Sequence, residues 1–293
     1  MDELLNILVL GITRGTLYAL LALGFALIFS VARVINLAHG AYFMIGAYFS
    51  YIFYDYVLGE GGVAMIIIAV VVGALASGLI ALFQFYVLLR GLKNPRHDYI
   101  LVMSLALSLL AGEIFRQVFG AERATPPAFV NSYGTVFGVR VISQELIIVP
   151  VAVLAVVAMV LYLKYTRQGR SVVAVAQNRH GAVLMGIDPV KAFAIVFFLA
   201  GCTAGLSGAL MGPIRVVDPL MWIPPLILSF AIVVMGGLGS LYGTIAGAFL
   251  VGLIETATAL QIGAAYTELV AFVVIIAVLA IRPAGLFGKQ VRL

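Results

Sequence analysis

The sequence predicts an all-α fold, a polytopic transmembrane helical bundle of about 8–10 spans with Gly-rich helix breaks. Three observations carry that prediction. First, 64% of the 293 residues are hydrophobic and 10% are charged, with mean hydropathy +1.18. An ordinary soluble domain is about 45–50% apolar and about 25% charged. A chain of this length cannot hide so much apolar surface behind a water-facing shell, so most of its exterior faces lipid. Second, the charges are clustered and leave long uncharged gaps between them. Third, glycine supplies 31 residues, well above the usual ~7%, and interrupts the longest gap. The composition excludes a soluble enzyme, a nucleic-acid-binding protein and a disordered chain. The net charge of +5 and the pI near 9.4 are read as a signature of membrane orientation.

A helix rises about 1.5 Å per residue and the hydrocarbon core is about 30 Å thick, so a span needs about 20 residues. The acidic start Met1-Asp2-Glu3 lacks the positive n-region of a cleaved signal peptide, so Leu4–Phe29 is read as a retained first span. Val34–Tyr54 fills the gap from Arg33 to Asp55, and Val63–Leu89 fills the gap from Glu60 to Arg90. Tyr99–Phe119 is the fourth span, followed by an external loop over residues 120–145 carrying Pro126-Pro127 and read as a lid or docking surface. Leu146–Leu163 and Ala192–Met211 flank a cytoplasmic connection at residues 164–191. The gap from Asp218 to Glu255 holds 36 residues, about 54 Å of helix and too long for one crossing. Gly236, Gly237, Gly239 and Gly243 divide it into Ile223–Met235 and Gly243–Leu260, and Ala265–Ile281 is the ninth span. The whole chain, 1–293, reads as one membrane domain.

Orientation follows from the connections. Arg33, Arg90, Lys93, Arg96, Lys164, Arg167, Arg170, Arg179, Lys191, Arg282, Lys289 and Arg292 all fall on one side, with only Asp98 and Asp188 among them. That set of 12 basic residues against 5 elsewhere places it in the cytoplasm. The N-terminus is then outside and the C-terminus inside the inner (plasma) membrane. The single Cys202 excludes an internal disulfide.

The connection 164–191 carries Val172, Val175, Ala176, Val183 and Leu184 at helical spacing, with Gln177, Asn178, Arg179 and His180 on a polar side. Ser171 suits an N-cap, Gly186 a C′ stop, and Pro189 prevents continuation. One or two short amphipathic helices on the cytoplasmic face are expected.

No catalytic signature is present: neither HExxH nor GxSxG nor a GxxxxGK[ST] phosphate loop occurs. His39, His97 and His180 are dispersed over different segments, so no metal site is expected. Small-xxx-small ladders do occur, at Gly11/Gly15, Gly201/Gly205, Gly208/Gly212 and Gly239/Gly243/Gly247, and such ladders let helix backbones approach closely in lipid. Around Gly236–Gly243 packing competes with a functional helix break. The same choice arises at Asn36, His39 and Gly40, where polar residues either satisfy free backbone groups or line a substrate path. Ionisable residues within spans are expensive and suggest function. Arg14 lies in the first span, and Glu113 and Arg116 at i,i+3 can neutralise each other. Glu255 has no near sequence partner, which makes Arg14 its expected counter-charge. A faint internal echo relates Leu21–Ala26 to Leu226–Ala231, each leading into a break.

These residues also carry a family resemblance. Asn36-Leu37-Ala38-His39-Gly40, followed by Gly46-Ala47-Tyr48, resembles the hallmark of LivH-type permeases of branched-chain amino acid ABC importers. Ala174–Asn178 and Ala182–Ile187 are similar to that family's cytoplasmic coupling segment. Gly236–Ser240 with Gly243, Gly247 and Glu255 resembles its late-helix signature, and Arg282-Pro283-Ala284-Gly285-Leu286-Phe287-Gly288 its C-terminal end. Arg14 departs from the family pattern. The resemblance implies a permease subunit paired with a second homologous permease, two cytoplasmic ABC ATPase subunits and an extracytoplasmic substrate-binding protein, with no nucleic-acid partner and with ATP bound by the partners rather than by this chain. With that role, the helix breaks are expected to line a translocation path at Asn36, His39, Gly40, Gly46, Gly236, Gly237, Gly239 and Gly243. ATPase coupling would fall to Arg170, Gln177, Asn178, Arg179, His180, Gly181 and Gly186. The alternatives are a self-sufficient secondary transporter or channel using Arg14, Glu113 and Glu255, and, with less support, a membrane-embedded enzyme.

Overall fold

The computed structural model describes residues 2–58, 63–89, 97–120, 126, 132–214 and 217–287. Among these, each expected span is a helix: α1 Asp2–Ala32, α2 His39–Ile52, α3 Val63–Gln84, α4 His97–Phe119, α5 Ser143–Tyr165, α8 Pro189–Met211, α9 Ile223–Gly236, α10 Leu241–Gln261 and α11 Thr267–Ile281. The two remaining helices, α6 Arg167–Gln177 and α7 Arg179–Leu184, are the short amphipathic pair expected in the connection 164–191. Among the described residues, seven helices are long and apolar enough to cross a membrane. The two that fall short, α2 and α9, have 14 residues each, about 21 Å of helix. Both adjoin a break, and α2 is prolonged by a π-helical turn at Phe53–Leu58. The second segment therefore begins at His39 rather than Val34, because the chain leaves α1 through Arg33 at φ +56°.

Residues 120–145 differ from the open loop expected. Tyr133–Val136 (β1) and Val139–Ile142 (β2) form an antiparallel hairpin, pairing Tyr133 with Ile142 and Val136 with Val139. The strands are only four residues long, too short for alternation to declare itself beside the apolar run that follows. Residues 121–125 and 127–131 of that segment lie outside the described residues, as do Glu60, Arg90, Lys93, Arg96, Arg215, Lys289 and Arg292.

The chain divides into two compact units, neither continuous in sequence. One comprises Met1–Ala26, Phe129–Val156 and Leu228–Leu293; the other comprises Leu27–Ala128 and Val157–Ile227. Within the second, α2 packs against both α3 and α8 at backbone distance. A Cβ on Gly46 would fall 2.2 Å from the carbonyl oxygen of Gly205, and one on Gly208 would fall 1.9 Å from that of Phe43. The ladder on α8 is therefore a packing seam, as its spacing predicts. Within the first unit, α1 meets α10 in the same manner: a Cβ on Gly252 would lie 2.5 Å from the backbone nitrogen of Gly15. Phe25 of α1 and Phe230 of α9, the equivalent positions of the sequence echo, stand edge-to-face with ring centroids 5.9 Å apart.

Candidate functional site

Two interrupted segments, one in each unit, gather the residues expected to line a path. The first lies between α1 and α2. With no water in the hydrocarbon core, the backbone freed by ending one helix and starting another must find partners inside the protein. Asn36 supplies one and is itself held by two further side chains. Its Oδ1 accepts from the backbone N–H of Ala38 at 3.2 Å and from Gln84 Nε2 at 3.2 Å, while its Nδ2 donates to the Tyr42 hydroxyl at 3.1 Å. The Tyr42 hydroxyl in turn donates to Gln84 Oε1, closing a triangle of three buried polar side chains. Both backbone groups of Leu37 are held by α4: its N–H donates to Ser104 Oγ at 3.0 Å, and its carbonyl accepts from Ser108 Oγ at 3.0 Å. His39 and Gly40 are buried in the same place. A Cβ on Gly40 would lie 2.1 Å from the Trp222 carbonyl oxygen. Asn36, His39 and Gly40 therefore come together, whereas Gly46 lies further along α2 against Gly205 of α8. Tyr42, Gln84, Ser104 and Ser108 complete the cluster. These four carry no motif and are scattered over 67 positions, so no local signal marks them.

The second interruption lies between α9 and α10. Gly237 and Gly239 adopt φ of +106° and +89°, backbone that residues with a Cβ rarely enter. Ser240 caps α10 by accepting from the N–H of Gly243 at 3.0 Å. Gly236 and Gly243 touch: a Cβ on Gly243 would be 2.1 Å from the Gly236 oxygen. The end of α9 is closed by the C-terminal segment, whose Leu286 and Phe287 N–H groups donate to the carbonyls of Met235 (2.8 Å) and Gly236 (3.0 Å). Gly285, at φ +80°, permits this approach, since a Cβ there would lie 2.5 Å from Gly237 Cα. The motif around Arg282–Phe287 thus acts on the α9–α10 break, a link that sequence distance conceals.

The charges within spans resolve differently from one another. Glu113 and Arg116 form the expected pair, with Arg116 Nε and a terminal guanidinium nitrogen donating at 2.8 and 2.7 Å to the two carboxylate oxygens. Gln117 adds a third bond at 2.7 Å. Glu255, however, is not met by Arg14 in the way expected. Its buried carboxylate accepts from the Tyr18 hydroxyl at 2.5 Å, one helical turn along α1 from Arg14. A tyrosine hydroxyl satisfies a carboxylate without bringing a second charge into lipid, which a pattern of charges alone does not reveal.

In the connection 164–191 the N-cap is Thr166, which accepts from the N–H of Gly169 at 2.9 Å, and not Ser171. Ser171 lies inside α6 and donates to the Arg167 carbonyl at 3.0 Å. Asn178 separates the two helices and caps α7 by accepting from the N–H of Gly181 at 2.9 Å. Gly186, at φ +78°, ends α7 as expected. Its N–H bonds to the Val183 carbonyl at 2.9 Å and that of Ile187 to Ala182 at 3.0 Å, the paired closure of a Schellman motif. Pro189 opens α8 under an Asp188 cap. Val172, Val175 and Ala182 are buried, whereas Val183, Leu184 and Met185 stand outside, the last two 75% and 83% exposed. Val183 and Leu184 therefore do not share the buried side of Val172 and Val175, because the helix is broken and restarted at Asn178. Arg170, Gln177, Asn178, Arg179 and His180 are exposed, with Arg179 resting over the Phe193 ring at 5.4 Å.

The profile of the family described as "Branched-chain amino acid transport system / permease component" matches residues 7–279 of this chain. The chain is 26% identical over 288 residues to the high-affinity branched-chain amino acid transport system permease protein LivH of Escherichia coli (strain K12), covering 95% of this chain and 94% of that protein. It is 28% identical over 295 residues to the corresponding protein BraD of Pseudomonas aeruginosa, covering 96% and 95%. A probable branched-chain amino acid transport permease protein LivH of Methanocaldococcus jannaschii is 27% identical over 292 residues, covering 95% and 90%. No solved structure matches the chain.

Proposed function

The chain belongs to the permease-component family of branched-chain amino acid transport systems, and from that membership we propose that it is the membrane subunit of an ATP-driven importer for branched-chain or related amino acids. It forms part of the translocation path and leaves ATP binding and hydrolysis to separate subunits. A second homologous permease, two cytoplasmic ABC ATPases and an extracytoplasmic binding protein complete the assembly. The excess of basic residues in one set of connections supports an outside N-terminus and a cytoplasmic C-terminus in the inner membrane.

The observation that carries this reading is the exposed apolar tip of α7. Leu184 and Met185 protrude from a segment stopped on both sides, by Asn178 and by the Schellman closure at Gly186. Two large apolar side chains left exposed on a rigidly closed turn suit a pocket on a partner protein. Arg170, Gln177, Asn178, Arg179, His180, Gly181 and Gly186 surround that contact. The ATPases would move α6 and α7, and the interruptions at Asn36–Gly40 and Gly236–Gly243 would rearrange so that the path opens to alternate sides.

Purification of the tagged chain in mild detergent, with mass spectrometry of what accompanies it, tests the assembly. Recovery of a nucleotide-binding ATPase and a second permease is expected. With Leu184 and Met185 both replaced by Asp, the chain stays in the membrane but the ATPase no longer accompanies it. A chain that comes out alone and transports in liposomes without ATP overturns the proposal in favour of a secondary transporter.

A further inference from the structure

We propose that the β1–β2 hairpin is an interfacial lipid anchor, with Phe137 at its tip and the face of Tyr133, Arg140 and Ile142 seated at the headgroup–acyl boundary beside α5. The turn places Phe137 at φ +53° and Gly138 at φ +84°. Positive φ at both central residues is the geometry of a tight hairpin turn that favours Asn or Gly at the first position. A bulky aromatic there is an outlier. Phe137 is also 83% exposed, so the fold gains no packing from it. A strained residue that is not needed within the chain points to a contact outside it.

The hairpin cannot stand far from the bilayer. Ser143 begins α5 directly after β2. Its N–H donates to the Ser132 carbonyl at 3.0 Å, and the Ser132 and Ser143 hydroxyls are 2.9 Å apart. Gly134 lies against the first turn of α5, where a Cβ would come 2.8 Å from Leu146 Cδ1. The register puts Gly134, Val136, Val139 and Val141 on one face, and Val139 and Val141 are buried. The opposite face carries Tyr133, Thr135, Arg140 and Ile142. There the Arg140 guanidinium rests over the Tyr133 ring, 4.9 Å from its centroid, and Tyr133 is 68% exposed. Aromatic rings and an aliphatic side chain joined to a hydroxyl and a guanidinium match the chemistry of the membrane–water boundary. The guanidinium suits lipid phosphate. The hairpin runs directly into α5, a helix long and apolar enough to cross a membrane, whose Val153 and Leu154 stand exposed. That direct attachment to a span favours lipid over a soluble protein as the occupant.

The test places a spin label at Phe137→Cys in a Cys202→Ser background, which removes the only native thiol. The full chain is set in bilayers of phosphatidylcholine and phosphatidylglycerol. The label is expected to relax more strongly with oxygen, which partitions into lipid, than with a water-soluble nickel chelate. Greater sensitivity to the chelate would place the hairpin in water and overturn the proposal. So would a label that the chelate reaches in the chain alone and that is shielded from both reagents only when partner proteins are bound. Should the cysteine variant fail to accumulate, Phe137→Trp in a Trp222→Phe background gives a single fluorophore. Its emission is expected to be quenched when the acyl chains carry bromine, and unquenched emission overturns the proposal equally.

Discussion

Replacing Tyr42 by Phe removes one oxygen from the triangle of Asn36, Tyr42 and Gln84 and leaves the ring in place. The Tyr42 hydroxyl accepts from Asn36 Nδ2 at 3.1 Å and donates to Gln84 Oε1. The variant therefore strands one buried donor and one buried acceptor, in a place where all three side chains are at most 2% exposed. Leaving a buried polar group unsatisfied costs about 1–3 kcal/mol, whereas coupling energies between hydrogen-bonded side chains in membrane proteins average about 0.6 and reach about 1.7 kcal/mol. A loss of about 2 kcal/mol is expected, the low end of two such penalties, because Gln84 Nε2 keeps its bond to Asn36 Oδ1. The loss is read from reversible unfolding in mixed micelles, followed by the fluorescence of Trp222, the single and buried tryptophan of the chain. The double variant Tyr42→Phe with Gln84→Met removes the stranded acceptor as well. It should therefore cost less than the sum of the single variants, by about 0.6–1.7 kcal/mol. Unchanged stability of Tyr42→Phe, or strict additivity in the cycle, would refute the claim that the triangle holds the interruption before α2.

Gly46→Ala drives a methyl group to within 2.2 Å of the Gly205 carbonyl oxygen and 2.3 Å of its Cα, so membrane-inserted, folded protein should fall sharply on a detergent-exchange assay. Gly181→Ala meets only the Asn178 side chain at 3.3 Å and should accumulate normally. At the α1–α10 contact, Glu255→Gln keeps an acceptor for the Tyr18 hydroxyl and Glu255→Leu does not. Thermal melting should therefore place the leucine variant below the glutamine variant, with Arg14→Leu leaving the Tyr18–Glu255 bond in place. An Arg14→Leu variant as damaged as Glu255→Leu would restore the ion pair in its stead.

All nine expected apolar segments and the short helices of the connection 164–191 are legible as helices because the signal for them is additive. Charge spacing, span length and an amphipathic period sum over many residues, and no single contact has to be known. The ends of α2 and α6 were not legible. Each is set by one residue whose role depends on geometry: Arg33 in left-handed backbone, and Thr166 with its hydroxyl turned to the Gly169 N–H. Composition sees neither. The hairpin was missed because two four-residue strands offer too few alternations to register. At the candidate site, Asn36 and the glycines announced themselves by being unusual in an apolar chain. Tyr42, Gln84, Ser104 and Ser108 are ordinary for a helix, and only their meeting around the interruption gives them a role.

The two interruptions solve one problem with different chemistry. Ending a helix in lipid exposes carbonyls and N–H groups that no water can satisfy, at several kcal/mol apiece. Before α2 the partners are side chains: Ser104 and Ser108 of α4 hold Leu37, and Asn36, itself held by Tyr42 of α2 and Gln84 of α3, accepts from the N–H of Ala38. Between α9 and α10 they are mostly backbone: the Gly237 N–H turns back to Val233 and Val234, while Leu286 and Phe287 reach the carbonyls of Met235 and Gly236. A side-chain network can exchange one partner for another by rotating single bonds. A backbone closure cannot, since moving the end of α9 breaks the bonds to Leu286 and Phe287 unless the C-terminal segment moves with it. With Gly285 against Gly237 as well, Arg282–Phe287 is a working part of the α9–α10 break, and any motion of that break in transport carries the C-terminal segment along.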